Sequence, residues 1–162
     1  MGKSLFPARA AFLVLVIAIP AFGPGACSSS PSSLMKDGYY TAEAADFDAG
    51  GWKEFLTIYV SDGRIVTAEY NARNAGGFLR SWDMADKRSM NAALGTYPNK
   101  YSRAYTLALL NRQDPARVLP IPGGAAQVHP RFRRLAEAAV AQARVGNRRV
   151  AFVKPLHRSG TE

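Results

Sequence analysis

Residues able to do chemistry are sparse in this chain, and one stretch gathers the features of a ligand site. Residues 120–130 read Pro-Ile-Pro-Gly-Gly-Ala-Ala-Gln-Val-His-Pro and run directly into an amphipathic segment, residues 131–143. Glycine lets a backbone approach a ligand closely. The first N–H groups of a helix lack partners inside it and sit at the positive end of its dipole. A loop of this kind feeding a helix start suits an anion, although the same residues also make an ordinary Pro/Gly turn. Elsewhere the supply is thin. The two histidines, His129 and His157, have no cysteine beside them, so no metal-ligand cluster is visible. Nor is there a Ser–His–acid order with supporting context of the kind a hydrolase needs.

The elements that must position this loop follow from length and patterning. At 162 residues, 48% hydrophobic and 20% charged, the chain has room for one globular domain and a targeting segment. Its one cysteine, Cys27, rules out an intrachain disulfide. Lys3 and Arg9 precede an apolar run over residues 10–19 that breaks at Pro20. A basic start, a short apolar core and small residues before a cut site are the parts of an export signal. The core is about half of the ~20 residues that span a bilayer. Gly25-Ala26-Cys27 resembles the end of a bacterial lipoprotein signal, in which Cys27 is lipidated and becomes the new N-terminus. Pro24 stands where such signals carry an aliphatic residue; the alternative is an ordinary signal with an incidental cysteine. The Ser/Pro-rich stretch that follows is a flexible tether. The expected organisation is a signal peptide over 1–26, a lipidated cysteine and tether over 27–36, a domain over 37–154 and a tail over 155–162. Export also interprets the net charge of +9: anionic lipid, lipopolysaccharide or an anionic cofactor is the expected partner, and nucleic acid is not.

Within the domain, Asp37-Gly-Tyr-Tyr-Thr opens as a strand. Residues 52–60 and 65–70 form a hairpin about Ser61-Asp62-Gly63-Arg64, since Asp-Gly tolerates the positive φ of a tight turn. Both strands carry apolar residues on both faces in places. Helices are expected to cover one sheet face and aromatics part of the other. A first helix is expected after the N-cap Ser81, with Met84, Met90, Ala93 and Leu94 inward and Gly95 as its stop. A second runs over 99–112, with Tyr101, Tyr105, Leu107 or Ala108, and Leu109 on its apolar side. The third starts at Pro130 and buries Phe132, Leu135, Ala136, Ala139, Val140 and Ala143, with Arg131, Arg133 and Arg134 on other faces. Gly146 ends it, and residues 149–153 form a last short strand. The fold class is α+β: a small antiparallel sheet with helices packed on one face.

The opening Asp-Gly-Tyr-Tyr-Thr strand, the hairpin Leu56-Thr-Ile-Tyr-Val-Ser-Asp-Gly-Arg-Ile-Val-Thr-Ala-Glu-Tyr and the Gly-Ala loop before a closing helix resemble the bacterial FMN-binding domain family. They are most similar to its membrane-anchored lipoprotein branch, the major membrane immunogens. The resemblance covers residues 37–143. It implies an FMN-binding-domain-like fold, a flavoprotein role in electron transfer with a redox protein partner, and a position facing the periplasm or the extracellular side. The family's loop runs acidic-x-x-Ser/Thr-Gly-Ala-Ser/Thr, and its last hydroxyl accepts FMN through a phosphoester. Gly124 and Ala125 match the central Gly-Ala, but Pro120, Gly123 and Ala126 stand at the acidic, first hydroxyl and acceptor positions. An alanine methyl is no nucleophile, and no Ser or Thr occurs from residue 107 to 158, so covalent FMN is not expected. The resemblance then implies non-covalent FMN contacts at Gly123, Gly124, Ala125, Ala126, Gln127 and His129. Backbone N–H groups need no side chains to hold a phosphate. Arg131, Arg133 or Arg134 are candidates for its charge, and Trp52, Trp82 and Tyr97 for ring stacking. The alternative is a non-enzymatic envelope or interaction lipoprotein that has lost the flavin.

Overall fold

The structure is a computed structural model and describes residue 2, residues 34–121 and residues 128–154. Cys27, the signal and most of the tether, loop residues 123–127 and the 155–162 tail lie outside the described residues. Four strands and three helices follow in the order β1 (Gly38–Ala44), β2 (Lys53–Ser61), β3 (Arg64–Arg73), α1 (Met84–Leu94), α2 (Pro98–Arg112), α3 (Val128–Val145) and β4 (Ala151–Val153). Short 3-10 turns at Arg80–Trp82 and Pro115–Arg117 precede α1 and follow α2. The expected α+β architecture is present, and the sheet order is β3-β2-β1-β4.

The hairpin forms where its residues require it. Asp62 and Gly63 both take positive φ, 51° and 69°, the pair that lets a two-residue turn follow the strand twist. Side chains then alternate along β2: Glu54, Leu56, Ile58 and Val60 point inward and are buried, while Phe55, Thr57 and Tyr59 are only half-buried. On the outer face Tyr39 stacks on Tyr59 with ring centroids 4.5 Å apart, and the Thr41 and Thr57 hydroxyls meet at 2.9 Å. The tyrosine pair is the partial aromatic cover expected from the two-sided strands.

α3 lies on β1 and β2, and α2 on β3, so both main helices share the inner face. Phe132, Leu135, Ala136, Ala139, Val140 and Ala143 are all buried, as the helical spacing requires. On α2, Tyr101, Tyr105 and Leu109 are buried; Leu107 is exposed, and Ala108 packs against the core in its place. Gln113 ends α2 in a left-handed conformation and turns its amide onto Ile65, the second residue of edge strand β3. Its Oε1 accepts from the Ile65 N–H (2.8 Å), and its Nε2 donates to the Ile65 carbonyl (2.9 Å). A side chain thus supplies the pairing that a further strand would have given.

Four expectations need correction. The sheet is mixed: β4 pairs parallel to β1. The reason is where α3 stops. The Lys36 N–H donates to the Ala143 carbonyl at 2.9 Å, so α3 ends beside the start of β1, and the next strand must run the same way. The N-cap of α1 is Asp83, whose carboxylate accepts from the Ala85 and Asp86 N–H groups at 2.8 and 3.0 Å. Ser81 instead accepts a bond from the Asn71 amide at 2.9 Å. None of α1's residues is buried; Met84, Ala93 and Leu94 are exposed and only Met90 packs on the core. α2 and α3 already fill the inner face. Finally, α3 opens at Val128, which places Pro130 in its third position, still within the turn where a missing N–H costs nothing.

Candidate functional site

The loop singled out in the sequence is flanked on both sides by described residues. Upstream, the chain leaves α2 through the Pro115–Arg117 turn and exposes Leu119, while the Ile121 N–H donates to the Tyr105 hydroxyl at 3.4 Å. Downstream, α3 begins at Val128, immediately after residues 122–127. The N–H groups of its first turn have no partner within the helix itself. His129 is half-buried. Its Nε2 lies 2.8 Å from the Val118 carbonyl, which makes that nitrogen the protonated one, and its ring lies 6.0 Å from Tyr105. The imidazole holds the two sides of the loop together.

Behind this entrance runs a line of packed rings. Tyr105 stacks on Phe132 (4.8 Å), and Phe132 meets Tyr70 edge-on (5.1 Å). Tyr70 then leads to a buried polar group. Its hydroxyl donates to Glu54 Oε1 at 3.2 Å, and Arg131 Nη2 reaches the same oxygen at 3.0 Å. Burial raises the Glu54 carboxyl above its ordinary value, against the downward pull of Arg131 and of the Tyr70 hydrogen bond. Burial likewise pushes the Tyr70 hydroxyl well up and the Tyr101 hydroxyl to about 12. Both phenols stay protonated, and that of Tyr70 is the donor to Glu54.

The cations named for a phosphate are accordingly divided. Arg131 is held by Glu54, and Arg133 pairs with Glu137 one helical turn on at 2.7 Å. Arg134 is half-buried on α3. The three aromatics named for stacking have three different partners. The Arg80 guanidinium lies 5.5 Å from the Trp52 ring, Lys87 lies 5.2 Å from Tyr97, and Trp82 meets Phe78 edge-on at 6.3 Å. Among the described residues no group of His, Cys, Asp or Glu could hold a metal ion.

Sequence reasoning missed a cleft of about 240 Å³ between β3, the Arg80–Trp82 turn and α2. Glu69, Asn71, Ser81, Trp82, Ser102 and Arg103 line it. Asn71 is buried and saturated: its amide donates to Glu69 and Ser81 and its oxygen accepts from the Ala72 N–H. No spacing along the chain announces this cleft, because its walls come from three elements. The Glu54 group did leave a signal. Glu54 shares the parity of Leu56, Ile58 and Val60 along β2, so a carboxylate on the buried face demanded a partner.

The described elements define a small α+β domain. No protein-family model matches the chain. It is similar to the 15 kDa lipoprotein of Treponema pallidum (strain Nichols), with 36% identity over 124 residues that span 76% of this chain and 85% of that protein. A crystal structure of a Clostridium perfringens protein superposes with a TM-score of 0.71 and 32% identity, covering 75% of this chain and 98% of that one. The chain belongs to the family of the 15 kDa lipoprotein and is a bacterial lipoprotein, a protein held at a membrane by a lipid anchor. Among the described residues no helix is long and apolar enough to cross a membrane.

Proposed function

We propose that this lipoprotein is anchored through an acylated Cys27, faces the periplasm or the cell exterior, and binds FMN non-covalently at the entrance to α3. The reading rests on the resemblance of its motifs to the FMN-binding domain family. The observation that carries it is that α3 opens at Val128, directly after the Gly-Ala loop. A phosphate there meets first-turn N–H groups and the positive end of the longest helix described.

The residues present fit the group through backbone rather than side chains. Gly124, Ala125, Ala126 and Gln127 each carry a backbone N–H that needs no particular side chain to hold a phosphate, whereas Arg131 and Arg133 are committed to Glu54 and Glu137. His129 holds the helix start to Val118. Bound FMN would supply one- and two-electron chemistry, consistent with a carrier that serves a redox protein partner. The chain's own part is to bind and orient the phosphate end. With Ala126 at the acceptor position it forms no phosphoester.

The purified protein's visible spectrum before and after denaturation tests the reading. Yellow colour lost on denaturation and filtration, and quenching of flavin fluorescence on titrating FMN into the colourless protein, are the expected results. Absence of quenching at high micromolar FMN overturns flavin binding and favours the cofactor-free envelope lipoprotein. Colour that stays with the unfolded chain overturns the non-covalent assignment.

A further inference from the structure

Charge on the described surface is unevenly placed. Lys36, Arg64, Arg112, Arg144, Arg148 and Arg149 are all exposed and gather at one end of the domain, against the carboxylates Asp37, Asp62 and Asp114. The contacts that bring them together are specific. Lys36 bonds Ala143 near the end of α3, the Gly63 N–H of the hairpin turn donates to Asp37 Oδ1 (3.3 Å), Arg148 Nη2 donates to the Asp37 carbonyl (3.3 Å), and Gln113 after α2 bonds Ile65. The six ion pairs among the described residues lie elsewhere: on Glu43, Asp48, Glu54, Asp86 and Glu137. Complementing a helix dipole accounts for Arg112 and Arg144, which sit in the last turns of α2 and α3. It also covers Lys36, whose Nζ donates to the carbonyl of Val145, the last residue of α3, at 3.3 Å, and leaves Arg64, Arg148 and Arg149 without that explanation.

The chain also enters the domain at this end. Leu34 lies against Gly63 of the hairpin turn, and Lys36 is strapped to α3. Cys27 precedes Leu34 by seven residues. A stretch of that length reaches at most about 25 Å when fully extended. A lipid anchor on so short a lead holds this end of the domain toward the bilayer. Leu34 and Val145, 78% and 67% exposed, add apolar side chains to the same end.

We infer that this end is a membrane-facing collar whose cations rest on the anionic phospholipid headgroups of the membrane holding the anchor. The inference takes its orientation from the reading of Cys27 as the anchor. Basic residues close to a negatively charged bilayer are attracted within a Debye length, and one acyl chain combined with a basic patch holds a protein more firmly than either alone. Seating the collar would leave the Glu43-to-Asp86 side, with its internally paired charges, facing outward.

The test uses the mature chain from residue 27 with Cys27→Ser, so that no lipid contributes, and flotation with vesicles of phosphatidylcholine with or without phosphatidylglycerol. Binding to the phosphatidylglycerol vesicles alone, released by high salt, is expected. Reversal of three collar charges, Arg64→Glu, Arg144→Glu and Arg149→Glu, should weaken it about tenfold or more. The same reversal at Arg88, Lys100 and Arg103, exposed residues of α1 and α2, should change it less than about twofold, since they lie away from the collar. Circular dichroism confirms that each variant is folded. Equal loss from both triple variants, or no binding to phosphatidylglycerol vesicles, overturns the collar. Mass spectrometry of the native protein for an acylated Cys27 separates this result from the anchor reading, which stands or falls without the vesicles.

Discussion

Replacing Arg131 with alanine tests how α3 is fastened to the sheet below the loop entrance. Glu54 has 9% of its side chain exposed, and its Oε1 takes both the Arg131 guanidinium (3.0 Å) and the Tyr70 hydroxyl (3.2 Å). Arg131→Ala leaves the buried carboxylate with the Tyr70 hydroxyl as its hydrogen-bond donor and only the more distant charge of Arg80. Breaking a buried pair costs about 3–5 kcal/mol. The Arg131 side chain is 38% exposed, however, so water already screens the interaction. A loss of roughly 1.5–3 kcal/mol at neutral pH is the discounted figure. The pH dependence has a definite sign. Burial already raises the Glu54 carboxyl and Arg131 pulls it down, so without the arginine it rises further. A carboxyl raised in the folded state favours folding below its unfolded value, and that contribution is lost as pH rises through the folded value. The deficit of the variant against the parent is therefore greatest near neutrality and shrinks on acidification. Urea unfolding of both proteins at about pH 7.5 and about pH 4.5 measures it, each midpoint shift being converted with a slope of ~1–3 kcal/mol/M. An equal deficit at the two pH values, or none at the higher one, refutes the pairing argument.

Two further substitutions probe the frame that positions the site. Phe132 is fully buried between Tyr105 and Tyr70, so Phe132→Ala should lower stability by about 3–5 kcal/mol in the same unfolding assay. A loss near 1 kcal/mol would mean the rings close over the gap. Gln113→Ala removes the amide that pairs with Ile65 at the edge of β3 and donates to the Leu110 carbonyl at 2.7 Å. It should cost about 1–2 kcal/mol and speed amide exchange at Ile65. Unchanged exchange there would show that water substitutes for the side chain.

The Gly-Ala loop's place in the chain was legible from sequence because the elements on either side carry strong periodic signals. α3 repeats its apolar residues at helical spacing from Phe132 to Ala143, and every one of those positions is buried. The Asp62-Gly63 turn needed only local backbone geometry, and both residues take the expected positive φ. α1 failed the same reading because helical spacing says which residues share a face, not whether any core remains to receive them. Leu107 and Ala108 posed a related choice between adjacent positions, which packing resolved by leaving Leu107 outside.

What the chain determined by itself was thus local: strand alternation, the tight turn and the buried stripe of α3. The tertiary structure decided everything that depends on which end of an element meets which other element. It set β4 parallel to β1 because α3 ends beside Lys36. It turned Arg131 from a surface charge into the partner of Glu54 and His129 into a clasp on Val118. It also collected cations as far apart in sequence as Lys36 and Arg149 at the end where the chain enters. Periodicity along a chain encodes neighbours one or two turns away, whereas these contacts join residues whose separation carries no repeating signal.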